Sequence, residues 1–399
     1  MEAAAVSGVP EAVAAAVRGL RPPVCAYVYD AAVLRARAAA LRAALPGGVA
    51  LCYAVKANGD PRVLAALAGS VDGFDVASGG ELALARAAAP DGLIVFAGPA
   101  KTTAELAAAV AAGAVVNAES ALELRRLASA ANTANTASTA STASGASAAR
   151  VALRVNRAGP ALSGTHAMAG ARTPFGIDEA DLPGALAVAR SLGLDPIGFH
   201  LHAVSNNLDA AAHARFVADA LAWSEATAAR LGVQLRYINV GGGFGVDYTG
   251  GREFDVAALA AIPADPRLVV EPGRWLAAPA GWYAAEVLDL KRVHGQWFAV
   301  LRGGTHHFRL PAAWGYSHPF TVLPADDWPY GYARPSIRDS AVTVAGELCT
   351  PRDVLARQVD VGLLRVGDVL VFGNAGAYGW DISHHDFLRH PHPDVVWLP

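Results

Sequence analysis

The chain has 399 residues, of which 53% are hydrophobic and 17% charged, and its formal net charge is -3 at pH 7. This near-neutral charge gives no reason to expect binding to nucleic acid or to an anionic membrane, and no run of about 18 uncharged apolar residues suggests a membrane span. With no signal-peptide pattern and only three cysteines, we expect a cytoplasmic protein of about two domains.

Short apolar runs alternate with segments rich in alanine, leucine and glutamate through the first 280 residues. We predict strands, in chain order, at residues 51–55, 74–77, 93–97, 114–117, 151–155, 197–202, 237–240 and 268–270. We predict helices between them, for example at residues 80–88, 103–112, 120–128 and 209–231. Eight strand–helix units are the number that closes a parallel barrel. The sequence therefore predicts an α/β fold with a (β/α)8 TIM barrel over residues 31–280.

The composition changes after about residue 281. Tryptophan, phenylalanine, valine and histidine become more frequent, and strand-like runs follow one another at residues 297–301, 341–345 and 368–372. We expect a separate β domain formed by residues 281–399 together with residues 1–30. The low-complexity segment 128–150 cannot bury enough apolar surface to offset its ordering entropy. We expect its middle to be an exposed insertion in the loop before the fifth strand.

Lys56 follows the first predicted strand directly, in the sequence YAVKANGDP. Burying an ammonium group without a partner is costly, so a lysine at the tip of a core strand needs an explanation. Active-site residues of a TIM barrel lie at the C-terminal ends of its strands. The polar and glycine residues at these predicted strand ends are Lys56, Asp75, Ser78, Arg154, Asn156, His200, His202, Gly241, Gly242, Gly243, Glu271 and Arg274. Any one of them could belong to an ordinary turn, but six such strand ends together favour an active site.

Seven motifs occur in an order that is typical of one enzyme family. They are AVKAN, GFDVASGGEL, HLHAVS, NVGGGFG, EPGRW, GELC and GNAGAYG. The ordered set resembles the fold type III pyridoxal-phosphate (PLP) decarboxylases, which include the diaminopimelate, ornithine and arginine-type enzymes. The resemblance spans residues 27–380 apart from the insertion. It implies an alanine racemase-like barrel that binds PLP, a C-terminal β domain, an amino-acid substrate and a homodimer with shared active sites.

The resemblance assigns the cofactor contacts. Lys56 matches the residue that binds PLP as a Schiff base, and we expect a desolvated position that lowers the lysine pKa below its usual value of about 10.4. The other implied contacts are Asp75, Arg154, His202, Ser205, Gly241, Gly242, Gly243, Glu271, Arg274 and Tyr378. Glycines let main-chain N–H groups converge on a phosphate, and His202 matches a residue that stacks on the ring. Val204 departs from the family, where glycine is frequent.

Glu271 indicates the reaction type. A carboxylate beside the pyridine nitrogen keeps that nitrogen protonated, so the ring accepts the electron pair left when the bond from Cα to the carboxylate breaks. Alanine racemases resemble a different pattern, with an arginine facing this nitrogen. Glu271 therefore favours decarboxylation, although a helix-capping or ion-paired glutamate is the structural alternative.

The predicted β domain supplies further candidates. Cys349 matches the family cysteine that reaches an active site across the dimer interface and protonates the substrate carbon after CO2 leaves, although a buried inert cysteine is the usual alternative. Asp353 matches a position that contacts the distal end of the substrate. Diaminopimelate decarboxylases typically carry a glutamate directly after this cysteine. The chain has Thr350 there, which argues against that substrate.

The stretch GGTHHFRLPAAWGYSHPF resembles the substrate-side segment of the diaminopimelate enzymes, with Trp314 where a tyrosine is usual. It makes Arg309, Trp314 and Tyr316 candidate substrate contacts, as Arg274 is on the barrel side. Together with HLHAVSNNLD, it looks closest to the siderophore-biosynthesis branch, whose enzymes decarboxylate a diamino acid, sometimes one joined to a carboxylate such as citrate. Arg309 could grip a substrate carboxylate or pair with a protein acid, and the sequence leaves both open.

Other functions stay open as alternatives. The substrate could be diaminopimelate, ornithine, lysine or arginine, and the chain could be a non-enzymatic relative that binds PLP. His200 and His202 share one face of a strand and could ligate a metal, as in barrel hydrolases, but the other rim residues supply no matching ligand set. Adjacent histidines on a strand point to opposite faces and chelate poorly. We therefore predict no metal site, and surface or cleft positions for His306, His307, His384 and His385.

Overall fold

The computed structural model describes residues 8–138, 149–159 and 162–399, with the backbone alone described for residues 134–138. The chain divides into two compact units. The barrel unit comprises Arg35–Val246 and Glu253–Trp275. The β unit comprises Met1–Leu34, Asp247–Arg252 and Leu276–Pro399.

The regular elements follow one another along the whole chain. The strands are β1 (Cys25–Asp30), β2 (Ala50–Ala54), β3 (Gly73–Val76), β4 (Leu93–Phe96), β5 (Val115–Ala118), β6 (Arg150–Asn156), β7 (His166–Ala167), β8 (Ile177–Asp178), β9 (Pro196–His200), β10 (Val204–Ser205), β11 (Tyr237–Asn239), β12 (Leu268–Val270), β13 (Gly281–Val293), β14 (Gln296–Leu301), β15 (Thr321–Leu323), β16 (Ser336–Ala345), β17 (Val354–Arg365), β18 (Val369–Phe372) and β19 (Asp394–Leu398). The α-helices are α1 (Glu11–Arg18), α2 (Ala31–Ala44), α3 (Pro61–Leu67), α4 (Gly79–Ala88), α5 (Thr103–Ala111), α6 (Ala121–Ser138), α7 (Leu182–Ser191), α8 (Ala210–Leu231), α9 (Arg274–Ala277) and α10 (Leu310–Trp314).

Eight parallel strands close into a barrel in the barrel unit. Their order around the ring is β2, β3, β4, β5, β6, β9, β11 and β12, and β12 pairs again with β2. The side chains in one layer of the interior come from six of these strands, and they are Cys52, Val95, Val115, Ala152, Tyr237 and Val269. These apolar side chains make the interior a packed core and not a channel. The predicted TIM-barrel fold is confirmed.

Several polar residues that follow the barrel strands cap the N-termini of helices. Ser78 caps α4 by accepting a hydrogen bond from Glu81 N at 3.2 Å. Thr102 and Glu105 form a reciprocal capping box at the start of α5. Since each cap satisfies N–H groups that a helix leaves unpaired, Ser78 has a structural role that accounts for its position.

Helix α6 extends to Ser138, ten residues beyond the helix that the sequence predicts at 120–128. Alanine is the strongest helix former, and Ala130 and Ala131 are buried, so the alanine-rich start of the low-complexity segment continues the helix. The predicted exposed insertion concerns the middle of the segment and not residues 129–138. Its centre, residues 139–148, lies outside the described residues.

The β unit contains one mainly antiparallel sheet. Its strand order is β15, β18, β13, β14, β16 and β17, with β1 on β13 and β19 on β1. Helix α1 packs Val13, Ala14 and Val17 against Trp282 and Val371 of the sheet. Since β1 precedes the barrel and β13 follows it, the sheet is built from both ends of the chain.

Candidate active site

Lys56 and Asp75 come from neighbouring parallel strands of the barrel unit. Strand β2 ends at Ala54, and Lys56 lies in the 3-10 turn Val55–Ala57 that follows. Its Nζ donates a hydrogen bond to Asp75 Oδ2, and the Asp75 side chain is fully buried. The Lys56 side chain is 45% exposed, so the expectation of a desolvated lysine is wrong. A buried carboxylate compensates the charge, which answers why a core strand can carry an ammonium group at its tip.

Glu271 lies in a buried polar cluster at the ends of β11 and β12. Asn239 Nδ2 donates to Glu271 Oε1 and also lies 2.7 Å from Tyr237 Oη. Burial raises the pKa of Glu271 to about 8, and the negative charge of Asp75 adds to this effect. Because Oε1 accepts a hydrogen bond, the proton that this pKa favours belongs on Oε2. The carboxyl group is therefore prepared to present a proton at a defined atom.

His200, the last residue of β9, is fully buried beside this cluster. Its Nε2 lies 3.7 Å from Glu271 Oε2, and neither ring nitrogen has a hydrogen-bond partner among the described residues. Burial and the charge of Arg154 hold the pKa of His200 well below its usual range. A neutral imidazole therefore lies beside Oε2 of Glu271.

His202 lies just beyond β9, with its ring centroid 6.3 Å from that of His200. Gly242 N–H donates to His202 Nδ1 at 3.2 Å, which leaves the proton of the neutral ring on Nε2. Burial lowers the pKa of His202 well below its usual value, and the charge of Arg154 adds to this. The ring is thus neutral and fixed by a backbone contact.

Arg154 forms a buried ion pair with Glu119, with NH1 and Oε1 2.9 Å apart. The guanidinium also lies over the Phe175 ring, 4.6 Å from its centroid. Glu119 accepts further hydrogen bonds from Gly98 N and Gly176 N, each at 2.8 Å. The sequence analysis missed Glu119, although it follows β5 directly and the rim rule could have found it.

The glycine loop that follows β11 approaches other backbone too closely for any side chain. A Cβ on Gly241 would lie 2.1 Å from His202 Nδ1, and one on Gly242 would lie 2.2 Å from the Glu271 carbonyl oxygen. Gly241 and Gly243 also have positive φ angles of 71° and 99°. Gly241 N–H donates to Asn239 Oδ1 at 2.8 Å. Both N–H groups have protein partners in the described part of the chain, and binding of phosphate by Gly241, Gly242 and Gly243 stays a prediction.

Two further predicted cofactor contacts lie in the barrel unit. Ser205 belongs to the short strand β10, where its carbonyl oxygen accepts from Thr165 N at 2.9 Å. Arg274 is buried and begins α9. Their backbones are thus fixed at the C-terminal ends of β9 and β12, and contact of their side chains with a cofactor stays a prediction.

The remaining predicted residues belong to the β unit. Cys349 is exposed, whereas Cys25 and Cys52 are buried, and all three thiols are free. Trp314 has its ring 6.2 Å from that of Tyr378 and 5.8 Å from that of Tyr248. Tyr316 Oη lies 3.0 Å from His318 Nδ1. Their contact with cofactor or substrate stays a prediction.

Asp353 holds two loops of the β unit together. It is 2% exposed, and its two oxygens accept hydrogen bonds from Thr305 N at 2.6 Å and Leu348 N at 2.8 Å. A buried carboxylate with two backbone donors holds these loops in place. Contact of Asp353 with the substrate stays a prediction.

The histidines give no metal centre. No group of three or more histidine, cysteine, aspartate or glutamate residues in the described ranges could hold a metal ion. His306 and His307 are both fully buried with ring centroids 3.8 Å apart, so their expected surface or cleft position is wrong. They lie in a turn after β14 and not on a strand, so the alternation rule does not apply to them.

Several buried polar atoms of the barrel unit lack hydrogen-bond partners among the described residues, and this pattern fits a site for PLP. Asp75 Oδ1, both ring nitrogens of His200 and both side-chain polar atoms of Asn117 are buried without hydrogen-bond partners in the described part of the chain. Buried polar atoms of native proteins normally have partners, so this cluster is suited to a polar group beside a lysine amine. The glycine loop adds the close backbone approach that a phosphate needs.

A family model described as "Pyridoxal-dependent decarboxylase, pyridoxal binding domain" matches residues 31–278. The chain belongs to the pyridoxal-dependent decarboxylase family. It is 41% identical over 394 residues to a 2-[(L-alanin-3-ylcarbamoyl)methyl]-2-hydroxybutanedioate decarboxylase of Staphylococcus aureus (strain NCTC 8325 / PS 47), with 94% of each chain covered. It is 32% identical to a diaminopimelate decarboxylase of Deinococcus radiodurans, with 93% of this chain and 89% of that relative covered.

Solved structures of the decarboxylases share this fold. Diaminopimelate decarboxylase from Helicobacter pylori complexed with L-lysine superposes with a TM-score of 0.80 at 24% identity, covering 96% of this chain and 93% of that one. At that identity the likeness concerns the fold alone. The predicted family, enzyme class and PLP cofactor are confirmed. No helix among the described residues has the length and apolar character that a membrane span requires.

Proposed function

We propose that the chain is a PLP-dependent decarboxylase of a diamino acid joined to a citrate-type polycarboxylate. The observation that carries this is the 41% identity, over 94% of both chains, to an enzyme named for such a conjugate. Relatives named diaminopimelate decarboxylase are 27% to 32% identical. By its printed name, the conjugate carries a free α-amino acid and two further carboxylates on the hydroxybutanedioate part.

Diaminopimelate decarboxylation is the alternative, because many of the relatives carry that name. Thr350 follows Cys349 in place of the glutamate that is typical of those enzymes. A glutamate would attract the distal ammonium group of diaminopimelate, and a threonine has no charge to do so. This difference favours the conjugate over diaminopimelate as the substrate. Ornithine, lysine and arginine are further alternative substrates.

The residues of the barrel unit supply the groups that the reaction needs. When bound, PLP provides an electron sink for the bonding pair that is released as CO2 departs. Lys56 brings the amine that attaches the cofactor, and Asp75 holds that amine in place before loading. Glu271, whose pKa is raised by burial, would hold a proton at Oε2 for the pyridine nitrogen of the cofactor, and the hydrogen bond from Asn239 fixes the orientation of the carboxyl group.

The other rim residues orient the cofactor. The neutral His202 ring, held by Gly242 N–H, offers a flat face for stacking on the cofactor ring. The Arg154 guanidinium, whose position is fixed by Glu119, would supply positive charge to the bound cofactor. Ser205, Gly243, Arg274 and Tyr378 are the proposed remaining contacts of the phosphate and the substrate carboxylate.

A homodimer with shared active sites completes the proposal. Cys349 is the exposed cysteine of the β unit, which suits a thiol that delivers a proton to the substrate carbon of the partner's site after CO2 leaves. Arg309, Trp314 and Tyr316 would contact the part of the substrate away from the reacting carbon. We also propose a cytoplasmic enzyme of siderophore biosynthesis, since citrate conjugates of diamino acids are building blocks of that branch.

The direct test is a substrate panel. PLP-loaded enzyme is incubated with the citrate conjugate of 2,3-diaminopropionate, free 2,3-diaminopropionate, diaminopimelate, lysine, ornithine and arginine, and CO2 release and product mass are measured. We expect the conjugate to give the highest kcat/KM. A higher value for diaminopimelate would assign the alternative, and no CO2 from any compound would indicate a non-catalytic relative. Lys56→Ala is the matched control for background decarboxylation.

A further inference from the structure

The β unit contains a cavity of about 600 Å³ that lies beside the Cys349 loop. Thr350, the residue after the thiol, is part of its lining. Four of the lining side chains are basic, and they are Arg309, Arg352, Arg357 and His384. The lining contains no aspartate or glutamate among the described residues. The volume lies within the range of pockets that hold small molecules.

The three arginines are not neutralised by the protein. The part of the chain that the structure describes contains no ion pair or side-chain hydrogen bond of Arg309, Arg352 or Arg357. Arg302 and Arg334, elsewhere in the same unit, each pair with a carboxylate. Unpaired guanidinium groups that converge on one cavity create a positive potential for an anion.

The backbone at each arginine is fixed by a hydroxyl side chain. Arg309 N donates to Ser383 Oγ at 3.0 Å, and Arg357 N donates to Ser317 Oγ at 2.9 Å. The third contact, from Arg352 N to Thr350 Oγ1, is 3.3 Å long. These contacts hold the backbone of the three arginines in place, so a ligand would not have to order these loops when it binds.

The pKa of His384, which also lines the cavity, is lowered. Burial lowers its pKa, and the charge of Arg309 lowers it further. Asp353, a buried acid of the same unit, uses both oxygens to accept backbone N–H groups and does not line the cavity. The basic groups of the cavity are therefore left for an external anion.

We propose that this cavity binds the two carboxylates of the substrate that do not react, and that Arg352 and Arg357 determine specificity for a polycarboxylate conjugate. The proposal rests on the proposed function, in which Cys349 reaches the reacting carbon. Thr350, which lines the cavity, is the residue directly after that thiol. Planar guanidinium groups bind carboxylates through two parallel hydrogen bonds.

The basic lining also excludes competitors. Lysine, ornithine and diaminopimelate carry an ammonium group at the end far from the reacting carbon. Several unpaired arginines would repel that group, and like-charge contacts reduce the affinity of a wrong ligand. A cavity of this charge therefore favours the conjugate both by attraction and by rejection.

The test compares Arg352→Ala and Arg357→Ala with the wild-type holoenzyme. The matched control is Arg338→Ala, because Arg338 is an exposed arginine of β16 outside the cavity. Steady-state kinetics are measured with the citrate conjugate and with free 2,3-diaminopropionate. We expect each cavity variant to raise KM for the conjugate by about tenfold or more, while kcat changes little, since a charged contact to the remote group is lost. The kcat/KM ratio of conjugate to free amino acid falls accordingly, and Arg338→Ala keeps wild-type values.

A second readout does not depend on turnover. Isothermal titration of the PLP-loaded wild type with citrate should show binding that both cavity variants lose and Arg338→Ala retains. Absence of citrate binding to the wild type, or equal KM values for the conjugate in wild type and cavity variants, overturns this inference and leaves the proposed function standing. If citrate binds as expected but the conjugate is not decarboxylated, the proposed function fails and the anion site remains.

Discussion

Asn239 donates a hydrogen bond through Nδ2 to Oε1 of Glu271, and this contact leaves Oε2 as the oxygen that carries the Glu271 proton. Both residues lie at the C-terminal ends of adjacent parallel strands, β11 and β12. The barrel closure therefore fixes the direction in which the carboxyl group can present a proton. A glutamate that only forms an ion pair would not need such a contact to orient one of its oxygens.

Glu271→Gln should lower kcat strongly and PLP affinity less. Glutamine keeps the size of the side chain and can accept from Asn239, but it cannot hold a transferable proton. A loss of about 10²-fold or more in kcat is expected for a proton-holding group of this kind. Single-turnover CO2 release measures it, with Asn239→Ala as a variant that keeps the carboxyl group but frees its orientation and should lose less. Equal activity of Glu271→Gln and wild type would show that the carboxyl group has no part in the reaction.

The raised pKa of Glu271 predicts how the stability of the cofactor-free protein depends on pH. The folded protein holds the proton up to about pH 8, whereas the unfolded chain releases it near pH 4.5. Between these two pH values the folded state binds more protons than the unfolded chain. The free energy by which this group stabilises the folded state is therefore fully present below pH 4.5 and is lost as the pH rises towards 8. Between pH 5 and 8 the free energy of unfolding of wild type should fall relative to Glu271→Gln by up to about 4 kcal/mol.

Urea unfolding of both proteins without PLP at pH 5, 6.5 and 8 checks this difference. All other titrating groups are common to the two proteins, so the difference reports Glu271 together with its charge interactions with Asp75 and Lys56. A constant gap between the two curves would show that the buried carboxyl group ionises normally.

Gly241→Ala should abolish PLP binding. The new Cβ would lie 2.1 Å from His202 Nδ1, and the φ angle of 71° is one that alanine adopts at a cost. The ring of His202 must then move from the position in which we propose that it stacks on the cofactor. Gly184→Ala is the control, because Gly184 lies in α7 with nothing within 4 Å of its added Cβ. Fluorescence titration with PLP should show wild-type affinity for the control alone, and tight binding by Gly241→Ala would show that the loop does not shape the site.

Particular residues show what the sequence could predict and what it could not. The barrel followed from eight apolar runs, and Lys56, Asp75 and Glu271 followed from the rule that parallel strands collect polar residues at their C-terminal ends. The exposure of Lys56 and the enclosure of Asp353 depend on how the packed loops exclude water, and strand periodicity carries no information on that. The helix that continues to Ser138 was missed because a compositional rule for disorder outweighed the helix propensity of alanine.

The shared-site dimer predicts complementation between two inactive variants. Lys56→Ala and Cys349→Ala are co-expressed in equal amounts with different affinity tags, and the total dimer pool is assayed. If each site uses Lys56 of one subunit and Cys349 of the other, half of the dimers carry one intact site, so about a quarter of wild-type activity returns. Each variant alone serves as the control. Activity no higher than the mean of the two controls would place both residues in sites of a single subunit.

The central claim is that Lys56 attaches the cofactor, and borohydride trapping tests it directly. The chain has three lysines. Lys101 is buried in an ion pair with Glu123 at 2.7 Å, and Lys291 of the β unit lies 3.4 Å from Asp289 on the same strand. PLP-loaded protein is reduced with borohydride, digested and analysed by peptide mass spectrometry, with Lys56→Arg as the control. We predict stoichiometric PLP label on Lys56 and none in the control. Label on Lys101 or Lys291, or undiminished label in Lys56→Arg, would contradict the account.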